Sequence, residues 1–377
     1  MSIYDLTDEQ RDIRALAARF ANEAIVPHAM RWDREHHFPK QVLAQLGELG
    51  LMGICVPQQF GGGGADFLTY VLVVEELSRG DAGLGVTVAV HTGAVTMAII
   101  ARGTHGQIER LVPPLAQGHE LGAFALTESG AGSDAGALQT RAQDCRLTGT
   151  KQWVTNGSHA HTFIVFAKDP DRPSAFIVRR GAPGFKPLRE EDKLGLNSSS
   201  TADMALEDTP AERLGMPGAG LRIALSTLDS GRIAIAAQAT GIAQAALDLA
   251  VQHARERRTF GKPIGAHQAI QQKLADMQTE IEAARALTWR AARLATAKRP
   301  HTVEGAQAKL FASAVARRVT GEAIQVLGGY GYTRELPAER YYRDAKVTEI
   351  YEGTSEVQRL VIARELLKHA EQAVAFS

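Results

Sequence analysis

Apolar positions recur at helical spacing through the first third of the chain, shorten into alternating or β-branched runs, then return to helical spacing. Thr7 before Asp8, Glu9 and Gln10 reads as an N-cap with an acidic first turn, and Ile13, Leu16, Phe20 and Ile25 follow as a helical stripe. A second amphipathic run covers residues 41–49 and stops at Gly50, and long apolar helices are predicted over 67–77 and 84–101. Gly61 to Gly64 lack a following Lys-Ser/Thr, so a flexible inter-helix turn is a better reading than a phosphate cradle.

From Leu121 to about Arg222 the pattern is strand-like. Phe124-Ala125-Leu126-Thr127, Gln152-Trp153-Val154-Thr155, Phe163-Ile164-Val165-Phe166 and Ala175-Phe176-Ile177-Val178 are separated by turn signals such as Asn156-Gly157 and Asp169-Pro170-Asp171. This spacing predicts an antiparallel sheet or small barrel, not βαβ units. Gly130-Ala131-Gly132 therefore lacks the strand and helix that a Rossmann fingerprint needs. After Pro217-Gly218 helical spacing resumes over 221–257, as one helix or two broken near Gly231. In residues 267–297, Ile270, Leu274, Met277, Ile281 and Ala284 alternate four and three apart, the seam of a coiled coil or four-helix bundle. Helices over 303–327, ended by Gly328-Gly329, and over 355–370 complete the set. The expected fold is mostly α with a central β domain: residues 1–121 an N-terminal helical domain, 122–222 an antiparallel β-sheet or barrel domain, 223–377 a C-terminal helical bundle.

Composition removes several function classes. A chain of 377 residues exceeds one ordinary core, and 42 basic against 42 acidic residues leave no basic field for nucleic acid. Cys55 and Cys145 form neither a disulfide framework nor a metal pattern, and His91 has no ligand-type residue one helical turn away, so no metal is expected. The start of the chain lacks a basic then apolar leader pattern. No uninterrupted apolar run is long enough for a bilayer, and Ala375-Phe376-Ser377 is not a peroxisomal address. A soluble, cytoplasmic protein without membrane or nucleic-acid partners is the expectation.

The stretch Ile350-Tyr351-Glu352-Gly353-Thr354-Ser355-Glu356 presents a carboxylate just before a glycine break, where the chain can turn sharply and face the acid into a pocket. It resembles the active-site segment of acyl-CoA dehydrogenases, and nearly the whole chain is similar to that family, most of all to its short-chain (butyryl-type) members. Phe124-Ala125-Leu126-Thr127-Glu128 with Gly130-Ala131-Gly132-Ser133-Asp134 looks like the first flavin segment, and Trp153-Val154-Thr155-Asn156-Gly157 like the second. Arg257-Arg258-Thr259-Phe260-Gly261 and Gln325-Val326-Leu327-Gly328-Gly329 resemble the segments that reach a neighbouring subunit's FAD.

The resemblance implies a site. Phe124, Leu126, Thr127, Gly132, Ser133, Trp153, Thr155, Arg257, Thr259, Phe260, Gln268, Gln325, Gly328, Gly329, Thr354 and Glu356 would hold FAD. Leu126 and Thr127 would donate at the pyrimidine edge, Thr155 would lie near N5, and Trp153 would cover the rings unless it faces the sheet core. Arg257 would grip the pyrophosphate, with a solvated helix cation as the plainer alternative. Ser133, Asp229, Arg232 and Gly353 would border the acyl-CoA, with Arg232 orienting Glu352 or else forming a helix ion pair with Asp229. Glu352 would remove the α-proton while a β-hydride passes to flavin, giving a trans-2-enoyl-CoA, and closure of the pocket would raise its pKa to roughly 6–7. Relatives that carry the base on another helix place it in the segment matching Leu228-Asp229-Ser230-Gly231-Arg232. Gly231 has no proton acceptor, which leaves Glu352. Met204-Ala205-Leu206-Glu207-Asp208 lacks the family's usual aromatic residue, with no consequence expected beyond sheet packing. Electron-transfer flavoprotein would be the acceptor and a homotetramer, a dimer of dimers, the assembly. An oxygen-using acyl-CoA oxidase, a branched-chain or carrier-protein substrate, and a non-catalytic scaffold are the alternatives.

Overall fold

A computed structural model describes residues 5–375. The N-terminal region holds α1 (Asp8–Phe20), α2 (Val26–Glu35), α3 (Lys40–Glu48), α4 (Phe67–Gly80), α5 (Ala82–Val88), α6 (Met97–Arg102) and α7 (His105–Ala116). Thr7 caps α1 in a capping box with Gln10, as its spacing suggests. The helix predicted over 84–101 is a continuous run in which α5 and α6 flank a π-helical stretch, Ala89–Thr96. His91 in that stretch is fully buried and satisfied, its Nε2 3.0 Å from the Leu115 carbonyl and its Nδ1 accepting from the Gly122 N–H. Helix α7, with two prolines in its last turns, was not foreseen.

The four-glycine stretch corrects one expectation. It is no flexible turn: Gly63 N–H donates to the Gly53 carbonyl, Gly64 to Val56 and Ala65 to Ile54, at 2.8–2.9 Å. A Cβ at Gly62 would lie 2.2 Å from the Val56 carbonyl, so close backbone packing requires glycine there.

The middle region is an eight-stranded sheet. Its strands are β1 (Gly122–Ala125), β2 (Arg141–Gln143), β3 (Arg146–Thr155), β4 (Thr162–Lys168), β5 (Pro173–Arg179), β6 (Phe185–Glu190), β7 (Thr201–Pro210) and β8 (Glu212–Leu214). The order is β6-β7-β3-β2-β4-β5-β8, largely antiparallel as expected, with β1 and β2 each pairing parallel with β4. Met204 and Leu206 of β7 are buried in the sheet core.

The C-terminal region contains α8 (Gly220–Glu256), α9 (Gln268–Thr296), α10 (Thr302–Leu327), α11 (Gly329–Tyr332), α12 (Ala338–Val347) and α13 (Ser355–Ala375). Helix α8 runs unbroken through Gly231, so the possible break there does not occur. Small residues allow α8 to approach its neighbours closely: a Cβ at Gly241 would meet the Glu75 carbonyl of α4 at 2.3 Å. The four long α-helices pack as a bundle whose core is continuous with that of the N-terminal helices, through Leu72, Val73 and Leu77 against Ile233, Ala237 and Ile281. Each fully buried Leu or Ile contributes about 1.5–3 kcal/mol. The expectation that no apolar run is long enough for a bilayer is also corrected. Residues 82–102 and α8 pass on length and composition, but the apolar 18-residue window of each is 78% and 83% buried within the protein.

Candidate active site

Glu352 follows α12 and precedes α13, and its residue and the next both take left-handed backbone conformations, φ 53° and 84° at Gly353. For a non-glycine this costs about 1–3 kcal/mol, so surrounding contacts must hold it. They are specific. Lys309 Nζ, on α10, donates to the Gly353 carbonyl at 2.6 Å. Gln358 Nε2 donates to the carbonyls of Glu352 (3.1 Å) and Gly353 (2.8 Å). The Ser355 N–H closes the loop onto the Glu349 carbonyl, and the Tyr351 hydroxyl donates to Gln238 of α8.

The turn aims the carboxylate at α8. A Cβ at Gly231 would lie 2.9 Å from Glu352 Oε2, 3.0 Å from Cδ and 3.2 Å from Oε1. The glycine is what makes room for the acid. Glu352 is half-buried, and its Oε2 is closed to solvent with no hydrogen-bond partner. Burial raises its pKa to about 7, against the opposing pull of Arg232 and Lys309. A carboxyl so placed titrates near neutrality and has a lone pair free for an incoming proton. Asp229 and Arg232 form the ion-pair alternative, 2.7 Å apart, and Thr302 donates to the other Asp229 oxygen at 2.7 Å. Arg232 acts on Glu352 through its charge, not by direct contact.

A second cluster joins β3 to the segment that follows β1. Gln152 N–H donates to the Thr127 carbonyl, joining the first flavin-like segment to β3. Beneath it, fully buried Lys151 donates to the Leu126 carbonyl (3.0 Å) and to Glu128 (2.6 Å), whose carboxylate also accepts from the Gln139 and Thr140 amides. Burial pulls Lys151 down to about 8 despite Glu128. The Phe124 ring packs on Phe166, 4.9 Å between centroids. Trp153 does not face the sheet core: β3 slips register there against β7, and Trp153 takes φ 53° with its side chain 57% exposed. Thr155 is half-buried, Gly132 and Ser133 are exposed, and a Cβ at Gly130 or Gly132 would meet nothing within 4 Å.

The third cluster is remote from the first. Arg257 stands 26 residues along the helical axis from Gly231, a distance of about 39 Å at 1.5 Å per residue. Its guanidinium lies over Tyr330, 5.9 Å from the ring. Thr259 contacts His267, Phe260 is 94% exposed, and Gln268, Gln325, Gly328 and Gly329 are exposed nearby in sequence and fold. Thr354 caps α13 through the Val357 N–H at 3.3 Å, and Glu356 is exposed in its first turn.

Sequence reading passed over Lys309, Gln358, Lys151 and the Tyr351–Gln238 contact. One signal was present: Lys309 interrupts the small apolar face of Gly305, Ala312 and Ala316 at helical spacing. Lys151 likewise shares a strand face with Leu147.

A half-buried acid that titrates near neutrality, held on a clamped turn of a helical bundle that follows a largely antiparallel sheet, is the arrangement of an acid–base enzyme. The families described as acyl-CoA dehydrogenase N-terminal, middle and C-terminal domains match residues 7–119, 123–209 and 218–367. The chain belongs to the acyl-CoA dehydrogenase family. It is 48% identical over 377 residues to the mitochondrial short-chain specific acyl-CoA dehydrogenase of Bos taurus, covering 97% of this chain and 91% of that one. The solved butyryl-CoA dehydrogenase of Megasphaera elsdenii is 42% identical with a TM-score of 0.94, covering 97% and 100% of the two chains. A solved chain from work on the electron transferring flavoprotein of Acidaminococcus fermentans is 44% identical with a TM-score of 0.96, again covering 97% and 100%.

Proposed function

We propose that this protein is an FAD-dependent dehydrogenase of short-chain acyl-CoA thioesters that forms trans-2-enoyl-CoA, with Glu352 as the base. The observation that carries the reading is the Glu352 carboxyl: an unpartnered, solvent-closed oxygen against Gly231, with a pKa near 7. Likeness to short-chain and butyryl-CoA enzymes supports the substrate class. The cofactor is FAD, and the residues present fit it. The open side of Gly130 and Gly132, the outward Trp153 ring and the exposed Ser129 and Ser133 leave room there for the cofactor. FAD supplies the acceptor for the hydride that leaves the β-carbon.

The chain's own residues do the rest. Glu352 takes the α-proton, and its N–H would donate to the thioester carbonyl oxygen as negative charge develops there. Lys151 fixes the Leu126 carbonyl, and with it the backbone that faces the cofactor. Arg257, Phe260, Gln268, Gln325 and the Gly328-Gly329 turn lie too far from Glu352 to serve the same site. Their exposure supports a homo-oligomer, a dimer of dimers, in which each chain completes a neighbour's FAD pocket. Electron-transfer flavoprotein is the proposed acceptor, supported by the neighbour from work on such a protein.

The test is a panel of acyl-CoA thioesters of graded length and branching, mixed anaerobically with the protein. Fastest bleaching of the flavin by butyryl-CoA, with slow oxygen uptake afterwards, supports the proposal. Fastest bleaching by a branched or long chain overturns the substrate class, and rapid oxygen uptake overturns the acceptor.

A further inference from the structure

The geometry points to Lys309 and Gln358 as positioning residues that hold the Glu352–Gly353 turn in its left-handed form, with the Lys309 charge tuning the acid from behind. The inference rests on Glu352 being the base. Two adjacent left-handed residues are unfavourable for the chain alone, and the first is not glycine. The carbonyls on both sides of that corner need donors, and both receive them from fully buried side chains. Burying an ammonium is expensive unless it is compensated, yet the direct partner of Lys309 is a neutral carbonyl, not a carboxylate. Its charge is thus left to act on what surrounds it.

The groups around it are few. Glu352 faces it from the turn, Arg232 from α8, Glu349 from the end of α12 and Glu356 from α13. Arg232 is committed to Asp229, and Glu349 to Arg317 and Lys346 at 3.1 and 2.7 Å. Glu356 is exposed. Tyr351 and Tyr70, which border Glu352, are held neutral by burial. Arg232 acts on Glu352 more strongly but is paired with Asp229, whereas Lys309 has no carboxylate in direct contact; its charge likewise favours the ionised base. Burial brings Lys309 itself down to about 8, so both partners titrate close to working pH.

Two variants divide the roles. Lys309→Gln keeps a donor for the Gly353 carbonyl and removes the charge; Lys309→Met removes both. Assayed as loaded enzyme with butyryl-CoA, Lys309→Gln is expected to move the acid limb of kcat up by about one pH unit. Lys309→Met and Gln358→Leu are expected to lose about tenfold to hundredfold in kcat, with KM changed by less than about threefold. Wash-out of the α-hydrogen of butyryl-CoA in D2O should slow in parallel, and FAD content and visible spectrum should stay as in the parent. Should Lys309→Met fail to fold, the Lys309→Gln profile decides. Loss of turnover in Glu352→Gln establishes the base separately. With that established, an unmoved acid limb in Lys309→Gln and full kcat in Gln358→Leu overturn the positioning role.

Discussion

Replacing Gly231 by alanine tests the closest contact in the site. The new Cβ would stand 2.9–3.2 Å from the three terminal atoms of Glu352, where ordinary contacts lie at about 3.5–4.0 Å. The backbone of the turn is clamped by Lys309 and Gln358, so the carboxyl must retreat by about half an ångström through its own torsions, costing about 0.5–1.5 kcal/mol. Alanine in a helix interior returns about 1 kcal/mol over glycine. The two nearly cancel, and the melting temperature is expected to stay within about 3 °C of the parent. Catalysis has no such offset. A misplacement of 1 Å is worth about a hundredfold, so half of that predicts a loss of about tenfold in kcat for butyryl-CoA. Dye-linked turnover and differential scanning calorimetry on the same preparation give both numbers. Full activity with unchanged stability would refute the claim that Gly231 exists to admit the acid; a collapse in stability would show that the contact is not with a movable side-chain tip.

Two further outcomes follow from charge. Glu352 has a folded pKa of about 7 against an ordinary 4.5, so the folded state binds more protons between those values and stability falls as pH rises from about 4.5 to about 7. Glu352→Gln removes that penalty, and its melting temperature should exceed the parent's at pH 8 but match it near pH 4.5; an equal difference at both pH values contradicts the raised pKa. Arg257→Ala should weaken FAD binding by about tenfold to hundredfold, the worth of a charged hydrogen bond, while leaving the fold of the chain intact. Equilibrium dialysis reads it, and undiminished FAD affinity would remove Arg257 from the cofactor site.

The order of helices, sheet and bundle was legible because apolar spacing changes period at the right places, near Leu121 and after Gly218. Glu352 and Gly231 stood out only through the resemblance of their segments to the family's, since an acid beside a glycine is by itself most often a solvated helix end. What stayed hidden depended on contacts across the chain. Lys309 meets Gly353 from 44 residues away, and Lys151 meets Leu126 from 25. A lysine in an apolar stripe announces a buried partner but not which one. Trp153 was ambiguous because alternation alone gives a strand residue one of two faces, and only the register slip turns its ring outward. The four glycines of residues 61–64 read as slack because composition does not show that a neighbouring carbonyl leaves no room for a Cβ.

The most direct measurement is anaerobic stopped-flow reduction of the FAD-loaded protein by butyryl-CoA, comparing the parent with Glu352→Gln. The parent is expected to lose its yellow absorbance within one turnover, and the variant, with the same cofactor content and thioester affinity, to bleach at least about 10²–10⁴-fold more slowly. Bleaching of Glu352→Gln at the parent rate would contradict the assignment of this acid as the base.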